Sequence, residues 1–571
     1  MAYFSMEIAL QSDIPTYSGG LGVLAGDTLR SAADLELPMV AVSMLYRKGY
    51  FYQKIDDSGH QSEQPMEWAV NDFLDELPGR VTVPIEGREV QIRAWKYDIE
   101  GQSGHTLPVF LLDTDLPEND AFDRSLSHHL YGGDERYRLC QEVVLGIGGV
   151  RMLQELGYDS GLTRYHMNEG HAALLTLGLL NKTAHSAGRT SITKDDADAV
   201  RDLCVFTTHT PVPAGHDTFP MDLVRQVLPP ADNGELGYGV DLVEQALALG
   251  EHNADRQNDV LNMTHLALGF SQYCNGVAKK HGEVSRAMFN DPEVDAITNG
   301  VHVHTWVQPP LAKLFDEYLP DWSTDPYVLR NALTIPRRAV WAAHKEAKRD
   351  LTKMVQQHID VALDQDCFTI GFARRLATYK RAHLLFSDLD RLRRIARQVG
   401  PFQIVTAGKA HPRDHRGKEI LRRIYEARDA LKDLITVAYI PNYDMDVTAT
   451  MIAGSDVWLN TPRPPNEASG TSGMKAALNG VPQLSTLDGW WLEGWIENVT
   501  GWSIGNMSNH LEADWHADAD AIYSKMEHVI LPLYYQRQTQ FMDVMRHAIA
   551  LNGSYFHTQR MVNEYVVRAY V

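Results

Sequence analysis

The sequence predicts an α/β protein of two doubly wound, Rossmann-like domains that face each other across a cleft. The chain has 571 residues, which is more than one domain usually holds. Short apolar runs alternate with amphipathic segments in two blocks, as expected for parallel strands covered by helices on both faces. A Pro-containing segment that starts at Gln308 separates the blocks. We therefore expect domains at 1–307 and 308–545, and a C-terminal helix at 546–571 that packs back on the first domain.

The first block opens with a glycine-rich turn at residues 19–22, which leads into a helix to about Leu35. Buried strands are expected at 38–46, 109–112 and 204–209. The second block is more regular, and its expected strands and helices alternate along the chain. The strands are placed at 368–372, 403–406, 434–440, 457–460 and 482–486, and the helices at about 380–398, 415–430, 445–453 and around Lys475. Ligands of such sheets bind at the carboxyl ends of the strands.

The acidic composition limits the partners. The net charge is −21, so broad nucleic-acid binding is not expected, and an anionic substrate would need a local basic cluster. The four cysteines are far apart and lack His/Cys ligand spacing, so neither a disulfide framework nor a metal site is indicated. The N-terminus lacks a signal-peptide pattern and no apolar run reaches membrane-spanning length. We expect a cytoplasmic protein without a membrane or nucleic-acid partner.

The most informative segment is Glu467–Lys475, where a lysine lies just inside a predicted helix after a turn of small residues. Such a turn leaves backbone amides close to a ligand, and a helix N-terminus attracts anions. An amine beside an anion cradle suits a phosphorylated aldehyde cofactor, which is gripped at one end and bonded at the other. For the small-residue turn alone, a capped helix with a solvated lysine is the favoured alternative.

A basic cluster follows the strand at 368–372. Arg374, Arg375 and Lys380 are placed at its carboxyl end, before a predicted helix whose dipole would oppose positive charge. This unfavourable placement in an acidic chain indicates a bound anion, because arginine makes two-pronged phosphate contacts and lysine supplies a point charge. A solvated helix start is the alternative.

Three further strings are weaker signals by themselves. The turn Ser18–Gly22 precedes a helix, but glycine turns are more often tight turns than phosphate loops. His209 ends an apolar strand, where histidine usually has a structural role. Asn299 precedes a glycine, and that pair is first of all a turn signal.

Taken together, these strings resemble the α-glucan (glycogen, starch and maltodextrin) phosphorylases. Other matching strings occur in the order of that family, namely Phe4–Glu7, Tyr46–Gln53, Asn168–His171, Asn275–Ala278 and Thr486–Gly489. Two departures, Ser472–Gly473 and Trp490–Trp491, match the short bacterial and archaeal branch. Packing is the favoured role of the two tryptophans, and a sugar platform is the alternative.

The resemblance implies a GT-B type fold and a glycosyltransferase that carries pyridoxal 5'-phosphate on Lys475. It assigns catalytic roles to Lys475, Arg375, Lys380, His209 and Glu467, and cofactor contacts to Lys475, Thr471, Ser472, Arg374 and Lys380. It assigns the substrate phosphate to Gly20, Arg375 and Lys380, and the sugar to Gly19, Leu21, His209, Asn299, Tyr379, Glu467, Ser469 and Gly470.

The implied reaction is the retaining phosphorolysis of α-1,4-glucan ends by inorganic phosphate, which gives α-D-glucose 1-phosphate. No glycosidase-like pair of carboxylates stands out, so the 5'-phosphate of the cofactor would serve as proton donor or electrostatic partner. Two alternatives stay open: a nucleotide-sugar glucosyltransferase of the glycogen-synthase type, and a glucan-binding relative without turnover. The resemblance also implies that the protein can form a homodimer. Because Met1 falls where the catalytic core of the family begins, it further implies that neither nucleotides nor phosphorylation control the activity.

Overall fold

The computed structural model describes residues 1–158, 160–212, 215–230, 237–250, 259–291, 293–505 and 515–571. Within these residues, strands and helices alternate through most of the chain. The strands are β1 (Ala2–Ser5), β2 (Val40–Met44), β3 (Tyr52–Ile55), β4 (Gln61–Gln64), β5 (Asp75–Ile85), β6 (Arg88–Glu100), β7 (Thr106–Asp113), β8 (Tyr165–Asn168), β9 (Cys204–Thr207), β10 (Thr218–Pro220), β11 (Val260–Asn262), β12 (Tyr273–Gly276), β13 (Asp295–Ala296), β14 (Phe368–Ala373), β15 (Phe402–Ala407), β16 (Val437–Ile440), β17 (Val457–Asn460), β18 (Gln483–Thr486) and β19 (Gly501–Ile504).

The helices cover the sheets and connect the parallel strands. They are α1 (Gly20–Asp34), α2 (Ala121–Ser125), α3 (Glu135–Val143), α4 (Gly149–Glu155), α5 (Leu175–Ser186), α6 (Lys194–Arg201), α7 (Met221–Val227), α8 (Val240–Leu249), α9 (Met263–Gly269), α10 (Lys279–Phe289), α11 (Val303–Trp306), α12 (Pro309–Tyr318), α13 (Arg337–Ile359), α14 (Leu389–Gln398), α15 (His415–Leu431), α16 (Met445–Gly454), α17 (Ser472–Leu478), α18 (Trp491–Gly494), α19 (Trp515–Lys525), α20 (Leu531–Gln536), α21 (Gln538–His547) and α22 (Thr558–Tyr565). Short 3₁₀ or π segments include Thr378–Lys380, Leu384–Phe386, Ala548–Gly553 and Val566–Tyr570.

The first sheet is mixed rather than purely parallel. Its nine strands lie in the order β13-β12-β9-β8-β1-β2-β7-β6-β5, and the seven from β13 to β7 run parallel. The last two, β6 and β5, pair antiparallel at one edge. This antiparallel edge was not predicted, because most residues of β5 are exposed or half-buried and form no continuous apolar run.

The second sheet confirms the predicted strand–helix alternation. Its six strands lie in the order β16-β15-β14-β17-β18-β19, and every adjacent pair is parallel. The predicted helix at 380–398 is wrong in its first half. Arg381 has a left-handed φ of +50°, and α14 begins only after Asp388, whose carboxylate accepts a hydrogen bond from the amide of Arg391 at 2.8 Å.

The two sheets share buried surface. One apolar core cluster combines Ala9 and Val23 with Trp306, Met474 and Trp490. The hairpin β3–β4 extends to the carboxyl edge of the second sheet, where Gln53 Nε2 donates to the carbonyl of Gly408 at 2.9 Å. The β3–β4 hairpin therefore bridges the two halves beside the ends of β15 and β16.

The C-terminal segment lies against the first sheet and α1. Met561 and Tyr565 pack in the same apolar cluster as Tyr3 and Ala32. The hydroxyl of Tyr570 lies 2.6 Å from Nδ1 of His166 on β8. Among the described residues, no helix combines the length and the apolar character needed to cross a bilayer.

Candidate active site

The carboxyl ends of the two sheets meet in one region. Lys475 on α17 lies against Trp306, with its Nζ 3.6 Å from the centre of the indole ring. The indole Nε1 of Trp306 in turn donates to Asp27 of α1 at 2.7 Å. The loop after β13 also contacts the second half, because the hydroxyl of Thr298 donates to Glu493 of α18 at 2.9 Å. The predicted site residues are therefore drawn from both halves of the chain.

Lys475 is placed as the sequence predicted, in the first turn of a helix that follows β17. The helix α17 starts at Ser472, and Lys475 is only 5% exposed. Burial lowers the pKa of its amine to about 8, and the carboxylate of Asp27 opposes that shift. An amine with this pKa is partly neutral at physiological pH, so it is far more nucleophilic than a solvated lysine.

The turn before α17 needs its small residues. Gly470 has a φ of +88°, a conformation that glycine adopts without a steric penalty. Gly473 has no space for a side chain, because a Cβ there would lie 1.4 Å from Oε1 of Gln483. The hydroxyl of Ser472 accepts a hydrogen bond from Trp458 Nε1 at 3.0 Å, which ties the turn to β17.

Glu467 joins the basic cluster to this turn. Its carboxylate accepts from Arg374 at 2.9 Å and from Lys380 at 2.6 Å. Burial opposes ionisation of Glu467, but Lys380 and Arg374 outweigh it and keep the pKa of the carboxyl below its usual range. The structure thus brings together three predicted residues and pairs the two cations with a protein carboxylate.

The basic cluster differs from the prediction in its backbone. Arg374 and Arg375 follow β14 in an irregular segment, and Lys380 ends a 3₁₀ turn, so none of them lies at the start of an α-helix. The prediction that a helix dipole opposes the positive charge of these residues was therefore wrong. The positive charge instead collects where β14 ends, and Arg375 is exposed there beside Tyr50 and His411, whose pKa values respond to its charge.

Several buried polar atoms of the predicted site residues are left without protein partners. Among the described residues, no hydrogen bond reaches Nε or one terminal nitrogen of Arg374, Oγ of Ser469 or Oδ1 of Asn299. Buried polar groups normally have partners, since leaving one unpaired costs about 1 to 3 kcal/mol. A guanidinium, a hydroxyl and an amide oxygen match the donors and acceptors that a phosphorylated or hydroxylated ligand requires.

The glycine turn before α1 is organised by Glu7, a residue to which the sequence analysis gave no role. Its Oε2 accepts from the amides of Ser18 at 2.5 Å and Gly19 at 3.2 Å. Gly20 is exposed at the start of the 15-residue α1, and a Cβ built at Gly20 meets no atom within 4 Å. The amide of Gly19 is thus occupied, whereas Gly20 and Leu21 begin the helix, where the amides lack intrahelical partners.

His209 is half-buried after β9 and is held by its neighbours. Its Nε2 lies 2.7 Å from Oδ1 of Asn168, and its amide donates to Glu169 at 2.8 Å. Burial lowers the pKa of His209 to about 4, so the imidazole is neutral at pH 7. Because the partner atom is a carbonyl oxygen, Nε2 carries the proton.

Two predicted sugar contacts lie in different environments. Asn299 is 3% exposed, and its backbone carbonyl accepts from Arg560 of α22 at 2.9 Å. The C-terminal segment therefore fixes this loop, a contact that no local pattern in the sequence could reveal. Tyr379 is 37% exposed, and its ring centre lies 4.8 Å from Nζ of Lys380.

The tryptophan pair is part of the core. Trp490 and Trp491 are each 1% exposed, with ring centres 5.3 Å apart. Trp490 also packs against Phe556 at 4.7 Å. This burial confirms the packing interpretation, and the sugar-platform alternative is wrong.

Asp488 bonds to the turn before α17 and predicts a pH dependence of protein stability. It accepts hydrogen bonds from the amides of Glu467 and Gly489, each at 2.9 Å. Burial raises its pKa to about 7, so the folded protein keeps a proton that the unfolded chain loses near pH 4.

The stability contributed by Asp488 should therefore be fully present below about pH 4 and be lost as the pH rises to about 7. The slope should reach about 1.4 kcal/mol per pH unit at most. We expect the difference in free energy of unfolding between wild type and Asp488→Asn to fall from pH 5 to pH 8. Unfolding curves at several pH values measure it, and a pH-independent difference would contradict the assignment.

Lys475 is a buried amine with a lowered pKa, and it follows on the same segment as Glu467, which pairs with two cations. This arrangement, at the ends of two largely parallel sheets, defines a group-transfer enzyme that handles anions. A sequence model of the family described as carbohydrate phosphorylase matches residues 162–501. The chain belongs to this family.

Maltodextrin and glycogen phosphorylases match over the full length of this chain. The sequence is 38% identical to maltodextrin phosphorylase of Thermococcus litoralis, covering 100% of this chain and 70% of that protein. It is 35% identical to glycogen phosphorylase of Mycobacterium tuberculosis, with the same coverage, and 35% identical to glycogen phosphorylase of Aquifex aeolicus, covering 86% of the latter.

Proposed function

We propose that this protein is an α-1,4-glucan phosphorylase, a glycosyltransferase that cleaves glucan ends with inorganic phosphate to give α-D-glucose 1-phosphate. Maltodextrin and glycogen phosphorylases that match the whole chain support this function. The observation that carries it is the buried Lys475 amine next to the turn whose Glu467 pairs with Arg374 and Lys380.

The residues around Lys475 fit pyridoxal 5'-phosphate. The amine has a pKa of about 8, and the indole of Trp306 offers an apolar face beside it. The unpaired guanidinium nitrogens of Arg374 suit a phosphate at the other end. When bound, this cofactor supplies a phosphate group that acts as a proton donor or an electrostatic partner beside the substrate phosphate. Lys475, Thr471, Ser472, Arg374 and Lys380 would hold it.

Arg375, Lys380 and the amide of Gly20 would bind the substrate phosphate. Two phosphate dianions in contact repel by several kcal/mol, on the order given by Coulomb's law at an intermediate dielectric. Arg375 is exposed and Arg374 and Lys380 share a single carboxylate, so the cluster keeps net positive charge for this task. Inorganic phosphate has its second pKa at about 6 to 7 and so exchanges a proton readily at neutral pH.

His209, Asn299 and Glu467 would orient the sugar. The bond from Nε2 to Asn168 fixes the neutral His209 ring, and the backbone carbonyl of His209 would face the positive charge that develops at the anomeric carbon. Asn299 offers an amide oxygen that has no partner within the described part of the chain, which suits a sugar hydroxyl. Retention follows if phosphate attacks from the face that the leaving group vacates.

A nucleotide-sugar glucosyltransferase would share the architecture and need a basic pair, but it would not need a buried amine. The experiment is to incubate the protein with phosphate plus maltodextrin, and separately with nucleotide-glucose plus maltodextrin. Glucose 1-phosphate formed only in the first mixture supports phosphorolysis. Chain elongation only in the second would refute it, and inertness in both with cofactor bound would support a non-catalytic glucan-binding relative.

We expect Arg375→Ala to weaken phosphate use selectively. Arg375 is exposed, and its side chain makes no hydrogen bond within the described ranges, so its loss should leave fold and cofactor absorbance unchanged. One charge-assisted contact contributes about 1.5 to 3 kcal/mol, so the KM for phosphate should rise about tenfold or more. Steady-state kinetics with each substrate varied in turn measure this effect. A rise confined to the KM for glucan would argue against the assignment.

The proposal includes the finer features of the family. These are a GT-B arrangement with domains at 1–307 and 308–545, residues 546–571 packed back on the first, a homodimer and a cytoplasmic location. The contacts of α22 and Tyr570 with the first sheet support the packing of the C-terminal residues.

A further inference from the structure

Asp27 is a buried carboxylate that neither the sequence motifs nor the proposed roles explain. It lies in the second turn of α1 and is only 1% exposed. Its Oδ2 accepts from Trp306 Nε1 at 2.7 Å and from the amide of His302 at 3.2 Å. Its Oδ1 has no hydrogen-bond partner among the described residues, although it is fully buried.

The charged groups around Asp27 single out Lys475. Burial raises the pKa of Asp27, and the strongest opposing charge is that of Lys475, followed by Arg30 and His302. In return, among the described residues it is the Asp27 carboxylate that raises the pKa of Lys475. Arg30 lies one turn further along α1, and His302 is itself bonded to Asp34 at 2.9 Å. Asp27 contacts the Nε1 edge of the Trp306 indole, and the amine of Lys475 lies over the face of the same ring.

A purely structural role explains only one of the two oxygens of the Asp27 carboxylate. Holding Trp306 and the backbone at His302 requires a single acceptor oxygen, which a neutral asparagine would provide. Burying an ionised carboxylate with a second, unpaired oxygen is costly unless a positive charge lies nearby. The Lys475 amine is such a charge, and its ammonium already rests on the ring that Asp27 anchors.

We propose that Asp27 is the counterion of the Lys475 nitrogen, a positioning residue that keeps this nitrogen protonated and seated on the face of Trp306. This inference rests on the proposed function, because it assigns the charge state of the nitrogen that would carry the cofactor. Asp27 comes from α1 in the first half and Lys475 from α17 in the second. The pair therefore also links the charge state of the site to the packing of the two halves.

The test compares Asp27→Asn with the wild-type holoenzyme by absorbance. The absorbance of a pyridoxal cofactor joined to a lysine changes when the joining nitrogen gains a proton, so a pH titration reports that proton. Asparagine keeps an oxygen for Trp306 and His302 but removes the negative charge. We expect the midpoint to move downward by about one pH unit or more, because a nearby carboxylate favours the protonated nitrogen. Identical titrations of the two proteins would overturn the inference.

Asp34→Asn is the matched control. Asp34 ends the same helix and contacts the same histidine, but the charge that raises the pKa of Lys475 is that of Asp27. We expect its titration midpoint to equal that of wild type. A shift as large as that of Asp27→Asn would mean that any change in α1 disturbs the site, and it would also overturn the inference. If Asp27→Asn does not fold, Asp27→Ser provides a second neutral variant.

A second experiment distinguishes failure of the counterion role from failure of the cofactor assignment. If borohydride reduction and peptide mass analysis find no cofactor on Lys475, the proposed function fails. Competitive acetylation with acetic anhydride then measures the pKa of the free Lys475 amine in the same proteins. A lower amine pKa in Asp27→Asn would still support the counterion role, and an unchanged value would refute it independently.

Discussion

Lys475→Ala should abolish both the bound chromophore and the formation of glucose 1-phosphate. The amine is 5% exposed, lies on Trp306 and has a pKa of about 8, so it is the nucleophile at the turn that can bond an aldehyde at neutral pH. Without it, the cofactor would have only its phosphate contacts, and added cofactor should not restore activity. The measurements are the absorbance of the purified protein before and after borohydride, and phosphorolysis of maltodextrin.

Lys409 offers a matched control for this prediction. It is a half-buried lysine at the carboxyl end of a strand, and burial lowers its pKa to about 8 as well. Its amine, however, donates to the carbonyl of Phe51 at 3.2 Å, at the junction with the β3–β4 hairpin. Lys409→Ala should keep the chromophore and the borohydride-stable label on residue 475. A label on residue 409, or full activity of Lys475→Ala without cofactor absorbance, would refute the assignment.

Local patterns were sufficient to predict five of the six strands of the second sheet and the position of Lys475, but not β19. The strands β14, β15, β17 and β18 are short apolar runs, and the helices between them have amphipathic sequences, so each element is specified by its own residues. Gly470 before α17 is likewise a local requirement, since its φ of +88° favours glycine. The same features placed Glu467, Arg374 and Lys380 near the ends of adjacent strands.

The partners of these residues could not be predicted locally. Asp27 and Trp306 are 279 positions apart in the sequence, and Asn299 and Arg560 are 261 apart. Their contacts depend on how the halves and the C-terminal segment pack, which single-sequence patterns do not report. The helix predicted at 380–398 failed for a local reason, because the left-handed Arg381 and the capping Asp388 delay its start. The left-handed Arg381 and the capping Asp388 can both occur in a sequence with helical periodicity, so that periodicity alone led to the wrong helix start.

The pairing of Glu467 with two cations has a large energetic consequence. The side chains of Arg374, Lys380 and Glu467 are 8%, 13% and 11% exposed, respectively. Glu467→Gln would leave two largely buried cations without their carboxylate. Removing one member of a buried ion pair typically costs about 3 to 5 kcal/mol, so we expect the variant to unfold at a clearly lower temperature than wild type. It should also lose activity, because Glu467 is proposed to hold sugar hydroxyls.

Inorganic phosphate should reverse much of this destabilisation, because an anion can replace the missing carboxylate between Arg374 and Lys380. Thermal unfolding with and without phosphate measures the effect, and the stabilisation should be larger in Glu467→Gln than in wild type. Asp518→Asn is the control, since Asp518 pairs at 2.7 Å with Arg381, which is similarly buried at 9% side-chain exposure. That variant should also be destabilised, but phosphate should not rescue it, because Arg381 also donates to the carbonyls of Thr461 and Pro462. Equal stabilisation of all three proteins by phosphate would mean that the anion binds elsewhere, and the phosphate role of Arg374 and Lys380 would then be wrong.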